Sequence, residues 1–120
     1  MKFTVTNTSN APLDFALAVA QQTGGAGAHS NTDNFNVGNV RIFRDNPTTG
    51  TVGSYDAGDA LVTYLDEIAA DGSATVFVLA DVALGQANGS VAAVTLTATG
   101  REAGAAGSQG AALTQTAGAN

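Results

Sequence analysis

Apolar side chains recur at every second position along much of this chain, which is the period of β-strands that bury one face. The alternation predicts five strands, over segments 2–8, 13–19, 39–44, 73–82 and 90–99. The cleanest is 13–19, where one face carries Leu13, Phe15 and Leu17. Segment 73–82 has apolar residues on both faces, which predicts a central strand covered on both sides.

The same alternation predicts which side chains meet in the core. The principal core positions are Phe15, Leu17, Val76, Val94 and Leu96. Ala98 is also predicted to point inward, whereas Asp14, Thr95 and Thr97 are predicted to face outward. Because the side-chain period of a strand is two, an error of one residue in register would reverse every face.

Residues 59–71 fit two kinds of element. Leu61, Leu65 and Ile68 recur at helical spacing, and Asp59 is a good residue to cap a helix at its N-terminus. Alternation also describes the segment, and the neighbouring segments all have the pattern of strands. We therefore favour strand over helix for this segment.

The connections between the predicted strands are rich in Gly and Asn, and no long helix is predicted. Short strands joined by such turns predict an all-β fold, a two-sheet β-sandwich of about seven strands. We assign residues 1–102 to the sandwich. Residues 103–120 form a Gly- and Ala-rich tail, in which the stretch from Ala111 to Thr116 could add a final strand or form a junction between repeats. A length of 120 residues fits one domain.

Composition and charge exclude several classes of function. The chain has 10 acidic and 4 basic side chains, for a net charge of −6, so it lacks the basic stripe that binds nucleic acid. No apolar run reaches the roughly 18 to 20 residues that span a bilayer, and we expect no membrane insertion. There is no Cys, which removes disulfides and thiolate chemistry. If the protein is exported, its signal lies outside this chain.

Four stretches of the sequence together resemble a known kind of domain. They are FTVTNTSNAPLDFALAV, RIFRDNPTTGTVGSYDAGD, EIAADGSATVFVLADV and VAAVTLTAT, in this order. The set resembles one unit of the tandem-repeat domains of large bacterial surface proteins, whose repeats open with a VTNTGN-type strand; Ser9 stands where that pattern has Gly. The resemblance implies an immunoglobulin-like β-sandwich, located outside the cell or at its surface, and repeated many times in a long protein.

One cluster of residues has the chemistry of a calcium site. Asp45, Asn46, Asp56 and Asp59 lie within fifteen residues of one another, with three Gly between them. Calcium binds six to eight hard oxygens, and Gly lets a backbone fold around the ion. The spacing is not that of an EF-hand, and Asp and Asn are also good turn formers. The sequence therefore leaves two interpretations, a calcium site or a polar turn.

Other candidate sites are weaker. His29, Ser30 and Asp33 contain the residue types of a catalytic triad, but they are neighbours in one Gly- and Asn-rich loop, whereas a triad is assembled across a fold. Two N-x-Ser sequences, at Asn7 and Asn88, match the N-glycosylation pattern, which matters only in a glycosylating compartment.

Three classes of function follow from these observations. The leading hypothesis is a structural or adhesive module of an extracellular bacterial surface protein or filament, a spacer or self-assembling unit whose partners are neighbouring copies of the domain. The alternative is a calcium-dependent ligand-binding module, whose ligand could be a glycan held near an aromatic such as Tyr55. The third, an enzyme, needs a cleft with paired titratable groups, and we expect no enzymatic activity.

Overall fold

A computed structural model describes residues 1–27 and 30–114 of the chain. It contains seven strands: β1 (Lys2–Thr6), β2 (Leu13–Gln21), β3 (Gly38–Arg44), β4 (Ala60–Leu61), β5 (Tyr64–Ile68), β6 (Ser73–Asp81) and β7 (Val94–Glu102). Within these residues no α-helix forms. The strand interpretation of residues 59–71 is confirmed, since β4 and β5 both lie in that segment.

The strands form two antiparallel sheets. One has the order β1-β6-β3-β4 and the other β5-β2-β7. The predicted two-sheet β-sandwich of about seven strands is confirmed. The pairs β2–β5 and β3–β6 are those of the immunoglobulin plan, in which the first strand lies beside the second and the last beside the sixth. Here the first and last strands have exchanged sheets, because β1 pairs with β6 and β7 pairs with β2.

The core lies between the two sheets and is built from side chains of moderate size. Its buried members are Val5, Leu17, Ile42, Leu65, Ile68, Ala74, Val76 and Val78. Of the predicted core positions, Leu17 and Val76 are buried, and Phe15, Val94 and Leu96 are partly buried against this cluster. Thr95 and Thr97 are exposed, so the register predicted for β7 is confirmed.

Two side chains lie on their predicted faces but differ in burial from what those faces suggest, each for a local reason. Ala98 lies directly opposite Leu17 and therefore on the core face, but it is exposed because its short side chain stands at the open edge of the sheet. Asp14 was predicted to face outward and is fully buried. Asp14 is buried because the tail covers it and a bulge in β5 lies beside it, where Asp66 and Glu67 together oppose Asp14 and Glu67 adopts a φ of 46°.

Strand β6 is covered on both sides, as its apolar pattern predicts. Val76 and Val78 point into the core, whereas Phe77 between them points to the outer face and is still buried. Phe43 lies directly across from Phe77 on β3, and the ring of Tyr55 meets both edge-on, at centroid distances of 5.0 and 6.2 Å. Residues 45–59, here called the acidic loop, thus cover part of the outer face of this sheet.

The start of the tail returns to the domain. Ala112 forms an antiparallel bridge with Arg101, and the Glu102 N–H donates to the Ala111 carbonyl at 3.0 Å. These contacts place Ala111 and Ala112 beside the end of β7 as an isolated bridge, and the final strand over Ala111 to Thr116 stays a prediction. Its last two residues, 115 and 116, lie outside the described residues.

Candidate functional site

The four predicted calcium ligands all lie in the acidic loop, where their side-chain oxygens accept hydrogen bonds from backbone N–H groups. Asp45 Oδ2 accepts from the Gly53 N–H at 2.8 Å. Asp59 accepts at both oxygens, from the Asn46 N–H at 3.0 Å and from the Asp56 N–H at 2.9 Å. These bonds tie the two ends of the loop to its middle.

Asp56 accepts two backbone hydrogen bonds within the loop. Its Oδ2 accepts from the Thr51 N–H at 2.6 Å and its Oδ1 from the Gly58 N–H at 2.7 Å. These two donors, that of Thr51 first, hold the pKa of the Asp56 carboxyl below its ordinary value, because they favour the ionised form. The carboxylate lies directly against Gly50, whose φ is +73°, so a side chain at that position would collide with it.

Asn46 caps the turn that follows it. Its Oδ1 accepts from the Thr48 N–H at 3.0 Å and from the Thr48 hydroxyl at 2.9 Å. Such bonds are the usual reason that Asn begins turns. The polar-turn interpretation thus accounts for all four residues. Across residues 1–27 and 30–114, no group of three or more Asp, Glu or His side chains is arranged to hold a metal ion. The calcium hypothesis stays a prediction.

The glycan hypothesis depends on Tyr55, which the structure places on the outer face of the four-stranded sheet. The residue is 47% exposed, and its ring packs against Phe43 and Phe77. One part of the ring therefore anchors the acidic loop, and the rest faces solvent. The glycan ligand also stays a prediction.

The loop that contained a possible triad is held by its Asp. Asp33 is buried, and its carboxylate accepts from the Gly24 N–H at 3.2 Å and from the Ala93 N–H at 2.6 Å. Both oxygens are thus engaged in joining residues 22–37 to the start of β7. Ser30 is exposed, and His29 lies outside the described residues.

Sequence reasoning missed the role of Asn7, the asparagine of the VTNTSN opening. The residue is fully buried after β1, and its Nδ2 donates to the carbonyls of Ala11 and Ile68, each at 2.8 Å. Its Oδ1 accepts from the N–H and the hydroxyl of Ser9. One amide thus closes the β1–β2 turn and joins it to the end of β5. Since both amide hydrogens are used inside the fold, Asn7 is not accessible to glycosylation, whereas Asn88 is exposed.

Asp14 was also missed, and it links three segments. Its Oδ1 accepts from the Glu67 N–H in the β5 bulge at 2.8 Å, and its Oδ2 from the Gly110 N–H of the tail at 2.7 Å. Nearby, the Gly107 N–H donates to Asp66 Oδ2 at 2.9 Å. The tail is therefore fastened across β5 and β2 by two carboxylates. Alternation could not reveal this, because the donors come from distant parts of the chain.

A groove of about 350 Å³ opens beside this fastening. It is lined by Arg44, Leu61, Val62, Thr63, Tyr64, Asp66 and Gly107. Its ionisable side chains are one guanidinium, one phenol and one carboxylate, and that carboxylate is already engaged with the tail.

Comparison of the chain with models of protein families, with curated proteins and with solved structures finds no match in any of the three. The resemblance to bacterial surface repeats therefore remains an expectation from the sequence. No helix among the described residues is long and apolar enough to cross a membrane.

Proposed function

We propose that this domain is a structural or adhesive module of an extracellular bacterial surface protein or filament, where it acts as a spacer or a self-assembling unit. The proposal rests on the hydrogen bonds that the buried polar side chains make to the backbone. These side chains are Asn7, Asp14, Asp33 and Asp45. Each bonds to backbone groups of other segments, so the polar chemistry of the interior holds loops in place.

Such an arrangement suits a module whose task is to keep its shape. The side chains of the core are of moderate size, and the loops are held by hydrogen bonds to individual buried side chains, with the ring of Tyr55 also packed on the sheet. Hydrogen bonds that involve a charged acceptor contribute about 1.5–3 kcal/mol each, so a few of them are significant beside a total stability of about 5–15 kcal/mol. We infer that this framework supports a mechanical or scaffolding role.

Localisation and assembly together test the proposal. Intact bacterial cells that produce the protein would be treated briefly with a broad-specificity protease, and the released peptides identified by mass spectrometry. We expect peptides from this domain among those released, together with concentration-dependent self-association of the purified chain in analytical ultracentrifugation. A cytoplasmic protease, added to the same search as a marker, controls for lysis. Recovery of the domain only with that marker would reject the extracellular role.

A further inference from the structure

The connection between β6 and β7, residues 82–93, contains an exposed turn. Residues 82–89 are all exposed, and they include Asn88–Gly89, the one place in the sequence where Asn precedes Gly. The Ser90 N–H donates to the Ala87 carbonyl at 3.0 Å, so Asn88 and Gly89 are the two central residues of a β-turn. Gly89 has a φ of +88°, and no atom of the described residues lies within 4 Å of where its Cβ would be.

The turn is separate from the contacts that hold this connection to the domain. Those contacts follow it, where the N–H groups of Val91 and Ala93 donate to side chains of the loop before β3. Within the turn, no described residue forms a hydrogen bond with the side chain of Asn88 or with the Gly89 N–H. The turn can therefore open when a single hydrogen bond, that of the Ser90 N–H, is broken.

We propose that Asn88 is a site of spontaneous deamidation, in which the chain modifies itself without an enzyme. The backbone nitrogen of Gly89 attacks Cγ of Asn88 and loses its proton to solvent. A C–N bond forms, the bond from Cγ to Nδ2 breaks, and ammonia leaves, which gives a five-membered succinimide. Water then opens the ring at either carbonyl and yields aspartate or isoaspartate. Glycine favours the attack because it has no Cβ to hinder it. Each event adds one negative charge to the −6 of the chain.

Asp71–Gly72 shows that the surroundings of such a pair matter, since Asp before Gly can close the same ring. There the Gly72 N–H donates to the Ala69 carbonyl at 2.9 Å, and the Gly72 carbonyl accepts from the Asn7 N–H at 2.9 Å. An attack by the Gly72 nitrogen would break the first of these bonds and disturb the second. We therefore expect ring closure at Asn88 and not at Asp71.

Two other exposed asparagines serve as internal controls. Asn10 precedes Ala11 and Asn36 precedes Val37, so each attacking nitrogen belongs to a residue with a Cβ. Both nitrogens also donate to side-chain oxygens, at 3.4 and 3.3 Å. The purified chain would be incubated at neutral pH and mapped by peptide mass spectrometry. We expect deamidation at Asn88 to be at least tenfold faster than at either control, and equal rates would overturn the proposal.

The ring and the attacking nitrogen have separate tests. Incubation in ¹⁸O-labelled water should place one labelled oxygen at position 88 and give isoaspartate as well as aspartate, whereas aspartate alone would indicate direct hydrolysis and overturn the ring mechanism. Gly89→Ala should slow deamidation at least fivefold. Gly85→Ala is the matched control, because Gly85 lies in the same connection with a φ of +84° and equally open surroundings but does not follow Asn. Equal slowing by both variants would overturn the role of the Gly89 nitrogen.

A peptide of residues 84–93 tests whether the fold leaves the site open. We expect Asn88 to react in the folded domain at a rate within tenfold of its rate in the peptide, and a larger difference would overturn the argument that the turn opens freely. Asn88→Asp should leave Tm unchanged, because residues 82–89 are exposed; a lower Tm would contradict the same argument. None of these measurements depends on the proposed function, so either proposal can fail without the other.

Discussion

Replacement of Asp14 is the most direct test of how the fold is held together. The carboxylate is fully buried and accepts from two backbone N–H groups, those of Glu67 and Gly110, at 2.8 and 2.7 Å. Asp14→Ala removes both bonds. The Glu67 N–H is then left in the bulge without an acceptor, whereas the tail can move so that the Gly110 N–H reaches water.

The size of the effect follows from these two bonds. Each is accepted by a charged group and contributes about 1.5–3 kcal/mol, so Asp14→Ala should lower the free energy of unfolding by about 3–6 kcal/mol. Asp14→Asn keeps one acceptor oxygen but turns an NH₂ toward the other donor, and about 2 kcal/mol is expected. Urea denaturation measures both values. Amide hydrogen exchange should show that residues 104–112 lose protection in both variants.

The control uses the second attachment of the tail. Asp66 binds the Gly107 N–H in an exposed contact, so Asp66→Ala should cost less than about 1 kcal/mol. If Asp14→Ala costs no more than Asp66→Ala, or if the amides of the tail keep their protection, the carboxylate is not what fastens the tail.

Four further predictions concern the core, the turns and the acidic loop. Leu65→Ala should lower the stability by about 2–5 kcal/mol in the same urea assay, because the side chain is fully buried, whereas exposed Leu84→Ala should change it by less than about 0.5 kcal/mol. Asn7→Ala should cost about 2–4 kcal/mol in that assay, since it leaves two carbonyls without a donor; a cost below 1 kcal/mol would contradict its role. The folded pKa of Asp56 is lowered, so its contribution to stability is present above its unfolded pKa of about 4 and is lost as the pH falls through the folded pKa. Asp56→Asn should therefore flatten the acid dependence of unfolding below about pH 4, and an unchanged dependence would contradict this. If Asp45, Asp56 and Asp59 converge on one calcium ion, EDTA should lower Tm and added calcium should restore it, because an ion bound only by the folded state stabilises that state; an unchanged Tm would reject the site.

Much of the fold could be predicted from alternation alone. The pattern of Val76, Phe77 and Val78 identified a strand covered on both sides, and the Thr residues of β7 identified its outer face. Side chains of a strand alternate between its two faces, so an apolar residue at every second position indicates which face is buried. This period can be read from a short stretch of the chain. Alternation therefore predicts strands and their faces well. It does not predict how deeply a residue on the core face is buried, as Ala98 shows.

The polar interior could not be predicted in the same way. Asp14 is buried because a bulge formed around Glu67 and a tail residue, Gly110, supply donors from 53 and 96 residues away in sequence. No local pattern records such partners. In the acidic loop the sequence pointed to Asp and Asn residues whose oxygens accept backbone N–H groups in the structure, but it could not distinguish ion ligands from turn caps. That distinction depends on where the backbone N–H groups point.

The fastening of loops by single buried side chains has a consequence for how such a domain can vary. When a loop is held in place by apolar packing, most of its positions must keep an apolar residue. Asp33, by contrast, uses its two oxygens to accept from the backbone N–H groups of Gly24 and Ala93, and a backbone N–H is present on every residue except proline. Exposed positions between such attachment points are therefore free to change in sequence, and in length to some extent. Copies of the domain could diverge widely in their loops while keeping the same framework.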